Sequence, residues 1–70
     1  MDISTQDKIG LIENKMLNIA REKYNQELNL IVYEACEERQ DVIEATKNNI
    51  KKQEEAYKAL EKQLKEVNNG

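Results

Sequence analysis

A chain of 70 residues with 14 acidic and 11 basic groups, a net charge of −3, one cysteine and no histidine or proline has little with which to staple a small fold. A single thiol excludes an intrachain disulfide, and the absence of histidine excludes the usual zinc and di-iron ligand sets. A domain this short buries so little surface that self-association or a partner chain becomes the expected source of stability.

Phe and Trp are absent and Tyr occurs three times, while charged residues make up 36% of the chain. That mixture, rich in Glu, Lys, Ala, Leu, Gln and Ile, matches long helices and coiled coils better than a compact globular core. Intrinsic disorder is the competing reading of high charge and few aromatics. The regular spacing of the apolar residues argues against it. No leading basic-apolar-small segment reads as a signal peptide, and no apolar run approaches the roughly 18 residues of a membrane span. A cytoplasmic location, where a lone thiol stays reduced, is the expectation.

The first element opens at "MDISTQDKIG". Ser4 and Asp7 have the spacing of a capping box, so a helix is expected to begin near Thr5, with Asp7 favourably placed in its first turn. Gly10 costs about 1 kcal/mol relative to alanine in a helix, or marks the close approach of another backbone. Ile9, Ile12, Met16 and Ile19 then form an apolar stripe at helical spacing.

Further along, a heptad pattern sets Cys36, Ile43, Ile50, Tyr57 and Leu64 at one seam position and Val32, Arg39, Thr46, Gln53, Leu60 and Val67 at the other. Extended backwards, this register meets the first stripe about one position out of phase. Two segments or a stutter are therefore expected, with a break near 48–49 or near 25–26, or one continuous helix through both. Polar Arg39 and Gln53 in the seam either fix register or face water. Asn68, Asn69 and Gly70 suit a helix stop.

Between the stripes lies "LNLIVYEAC", residues 28–36, where apolar side chains crowd together. Ile, Val and Tyr suit a strand, but no turn residues flank the run and no second strand is present to pair with it, so helix is the better reading. Val32 and Cys36 fall on the seam, while Leu28, Leu30, Ile31 and Tyr33 exceed the width one partner helix covers. Those four are the candidate partner-binding residues. The expected oligomer seam is Val32, Cys36, Ile43, Ile50, Tyr57, Leu60, Leu64 and Val67.

Charge is uneven along the chain. Residues 1–46 hold ten acidic and five basic groups, net −5, and residues 47–70 hold four and six, net +2, which together give −3. Antiparallel packing that sets the acidic 34–44 region against the basic 47–65 region is favoured over parallel stacking. Within the second region Lys47, Lys51, Lys58 and Lys65 each have a glutamate three or four residues away. Mixed helix-surface pairing accounts for them, and the pattern argues against a nucleic-acid patch.

No catalytic, metal or cofactor residues are assigned. The cluster Glu34, Glu37, Glu38, Asp41 and Glu44 reads as a solvated acidic face, because di-metal bundles need Glu-x-x-His and calcium loops need a Gly-containing turn. Cys36 has no histidine to activate it, and it reads as a small core residue. The expectation is an all-α chain, a long helix or helical hairpin with coiled-coil-like heptads, assembling into an antiparallel dimer or bundle. Its expected role is non-enzymatic: a self-associating regulator or inhibitor that docks on a larger protein. A structural element whose product is its own oligomer is the alternative.

Overall fold

The computed structural model describes residues 2–69 as two helices, α1 (Thr5–Ala35) and α2 (Gln40–Asn69), folded against each other as an antiparallel hairpin of 51 × 18 × 14 Å. The chain is all-α. Gly70, the expected helix stop, lies outside the described residues, while Asn68 and Asn69 belong to α2.

Helix α1 begins where the cap places it. The Asp7 amide donates to Ser4 Oγ at 3.1 Å, and Lys8 donates the first helical bond to the Ser4 carbonyl at 3.0 Å. Helix α2 starts without a preferred capping side chain: Arg39 occupies the cap, its carbonyl accepting from Val42 and Ile43 at 3.1 and 3.2 Å. Arg39 Nε lies 3.4 Å from Asp41 Oδ1, with both side chains in solvent.

The turn falls at 36–39, not near 25–26 or 48–49, and helix runs unbroken through both of those asparagine sites. What stops α1 is backbone geometry. Glu37 takes φ 55°, Glu38 donates to the Tyr33 carbonyl at 2.9 Å and Glu37 to that of Glu34 at 3.3 Å. These two bonds are the Schellman closure, built here with glutamate in the left-handed position that glycine usually fills. The acidic cluster therefore sits at the turn and the start of α2. It does not oppose the lysines of α2, so the antiparallel arrangement has a cause other than the expected charge pairing.

What holds the hairpin is a pair of heptad stripes. Among the less exposed positions, Ile9, Ile12, Met16, Ile19, Lys23, Gln26, Leu30 and Tyr33 make the stripe of α1 and Ile43, Thr46, Ile50, Gln53, Tyr57, Leu60, Leu64 and Val67 that of α2, with Glu27, Asn29 and Val42 half-buried beside them. Both step alternately by three and four residues. Counted outward from the turn, Tyr33 is level with Ile43, Leu30 with Thr46, Lys23 with Gln53, Ile19 with Tyr57, and Ile9 with Val67. The ion pair Lys23 Nζ to Glu54 Oε1, 3.6 Å, ties the helices in this register.

Burial is shallow. Ile43 (8% exposed) is the buried apolar residue, and Thr46 (5%) is buried beside it, with its hydroxyl satisfied by donation to the Val42 carbonyl at 2.9 Å. Gly10 gives no close approach, since a Cβ there would meet nothing within 4 Å.

Candidate functional site

The structure divides the residues expected to form the seam. Ile43, Ile50, Tyr57, Leu60, Leu64 and Val67 lie on the side of α2 that packs against α1 of the same chain, Ile43 buried and the other five half-buried. Val32 and Cys36 are exposed. The register read backwards from α2 does not survive the turn: the four residues 36–39 absorb the one-position phase change, and in α1 the seam passes through Leu30 and Tyr33.

The four candidate partner-binding residues divide as well. Leu30 and Tyr33 are half-buried against α2, whereas Leu28 and Ile31 face solvent, Ile31 at 63% exposure. Arg39, expected on the seam, is exposed in the turn. Gln53 does point inward, and its Oε1 is buried with no hydrogen-bond partner among the described residues.

A second apolar surface emerges that the heptad reading of α2 does not contain. Among the described residues the exposed large apolar side chains are Ile3, Leu11, Leu17, Tyr24, Leu28, Ile31 and Val32, and each lies in α1 or just before it. Leu17, Tyr24 and Ile31 are seven residues apart on the row next to the seam, with Ala20 and Leu28 between them. On α2 the equivalent outer rows carry Lys51, Lys58 and Lys65, and Lys47, Glu54 and Glu61. The signal was legible in the sequence as a seven-residue repeat through Ile3, Gly10, Leu17, Tyr24 and Ile31, running beside the stripe from Ile9 to Ile19.

Beside this outer stripe two grooves open between the helices. An open groove of about 440 Å³ is bounded by Ala20, Tyr24 and Glu27 of α1 and by Glu54, Tyr57 and Lys58 of α2. A second, of about 270 Å³, lies further from the turn between Met16, Leu17, Ala20, Tyr57 and Leu64. Ala20 and Tyr57 border both, so the stripe and the grooves form one surface on one side of the molecule.

The chemistry available on this surface is apolar contact with a charged rim. Lys23 Nζ reaches Glu27 at 3.7 Å and Glu54 at 3.6 Å. The ion pairs expected within α2, such as Lys47 with Glu44 or Lys65 with Glu61, are not formed among the described residues. No cluster of three or more Cys, Asp or Glu groups is placed to hold a metal ion among them, and no described helix is long and apolar enough to cross a membrane. Comparison of the chain with protein-family models, curated proteins and solved structures returns no match.

Proposed function

We propose that this chain is a non-enzymatic protein-binding module of the cytoplasm, a self-associating helical hairpin that regulates or inhibits a larger protein by docking on it. The observation that supports this reading is that the exposed large apolar residues among the described ones all lie on α1 or, for Ile3, just before it. Contiguous exposed apolar surface on a small protein marks an interaction site, and a helix presenting such a face is a recurrent mode of protein recognition. Catalysis finds no support in an open groove of apolar contact and surface ion pairs, which lacks the enclosed site that reacting groups need.

The test is capture by the tagged chain from its native cell, repeated with Leu28, Ile31 and Val32 all changed to serine. These side chains point away from α2, so helix content stays as it is while the captured protein is lost. A partner that the triple variant retains sinks the docking reading. If neither form captures a partner, the oligomer itself is left as the product.

A further inference from the structure

We propose that a second copy of this chain covers the outer stripe of α1, the two α1 helices running antiparallel across a two-fold axis at Tyr24, to give a four-helix assembly. This rests on the reading of the outer face of α1 as a protein-binding surface and gives that face a second copy, so a larger partner reaches Leu28 and Ile31 only by displacing it.

The first support is area. The chain exposes 5602 Å². A folded monomer of its 8.2 kDa mass is expected to expose about 4,500 Å² from the scaling of accessible surface with mass. The excess of about 1,100 Å² is of the size that one partner buries in a stable protein interface, about 800 Å². Burial inside the hairpin is shallow, with Ile43 the buried apolar residue among the described residues, so a second copy on the outer stripe adds apolar burial that the hairpin alone lacks.

The second support is the pattern of the stripe. Leu17, Ala20, Tyr24, Leu28 and Ile31 are separated by three, four, four and three residues, a spacing that reads the same in both directions about Tyr24. An antiparallel copy centred there sets Leu17 level with Ile31, Ala20 with Leu28, and Tyr24 with itself. Large faces small at Ala20, where the two grooves meet, and the ends pair apolar with apolar over about 21 Å of helix. An isologous two-fold contact requires this kind of self-complementarity, whereas a different partner does not. A dyad at Leu17 instead would set Leu28 against Gln6 and Ala20 against Asn14.

Native mass measurement at low micromolar concentration is expected to give twice the mass of one chain, and a monomer overturns the proposal. A residue on a two-fold axis meets its own copy, so Tyr24→Cys in a Cys36→Ser background is expected to form an interchain disulfide under mild oxidation. Leu17→Cys in the same background is not. Cross-linking through Leu17 as fast as through Tyr24, or through Leu17 alone, also overturns it. The uncross-linked native mass needs no substitution, so the proposal stays falsifiable should a variant lose its fold. A monomer that still captures a target through Leu28, Ile31 and Val32 would fail this inference and leave the docking reading standing. A dimer that captures nothing would do the reverse.

Discussion

Helix α2 is amphipathic in the simple sense: one mostly apolar stripe from Ile43 to Val67, and elsewhere mainly lysine, glutamate, amide and alanine side chains. Helix α1 carries a stripe of the same length and rhythm from Ile9 to Tyr33, and then a second one on its outer side through Leu17, Tyr24, Leu28 and Ile31. The two helices satisfy one another along the first pair of stripes, and nothing in the hairpin satisfies the second. Helix α1 is thus apolar on two faces, one packed against α2 and one exposed. Under the proposed docking, folding and interaction fall on different sides of one element.

The largest effect expected from separating those sides comes from truncating each in turn. Ile43→Ala removes the most buried apolar side chain and should cost about 3 kcal/mol, lowering the urea midpoint at every protein concentration. Ile31→Ala, at 63% exposure, should leave the hairpin within about 0.5 kcal/mol and lower only the part of the stability that rises with concentration. Equal effects of the two changes at every concentration would erase the distinction between the stripes.

A second contrast lies at mid-length, where each seam holds a polar residue at the same level. Lys23 is long enough to carry its ammonium out to Glu27 and Glu54 at the edge, so its stem packs while its charge stays wet. Gln53 is shorter, and its amide oxygen is left buried without a donor. An unsatisfied buried acceptor costs roughly 1–3 kcal/mol. Gln53→Leu is therefore expected to stabilise the fold by about 1 to 2 kcal/mol, read as a higher thermal midpoint. An unchanged or lower midpoint would show that the amide works for its place, as a register-setting group does in a coiled coil.

The heptads of α2 were legible from Ile43 onward, polar members included, because spacing alone determines which residues of a straight helix share a face. Ser4 likewise marked the start of α1. The turn was not legible. Its residues are Cys36, Glu37, Glu38 and Arg39, with no glycine, proline or asparagine among them, while the asparagines that suit a break at 25 and 48–49 lie inside helices. Misplacing the turn carried the α2 register back onto Val32 and Cys36 and hid the seam role of Leu30 and Tyr33. It also concealed that the outer stripe is separate from the seam, since in a single long helix the two merge into one broad apolar band.

Glu37 is where hairpin and single helix make opposite demands, and it gives a small expected effect with the clearest sign. In the hairpin Glu37 sits at φ 55°, a conformation that costs an L-residue with a Cβ about 1 kcal/mol and glycine almost nothing. Its exposed side chain forms no ion pair among the described residues, so little is lost with it. Glu37→Gly should raise the urea midpoint by the equivalent of about 1 kcal/mol. In a rod that continued through residues 36–39, the same glycine would occupy a helix interior and cost about 1 kcal/mol. The direction of the shift therefore separates the two architectures. A fall in stability would return Leu30 and Tyr33 to the outer surface and dissolve the division of α1 into a folding face and an interaction face.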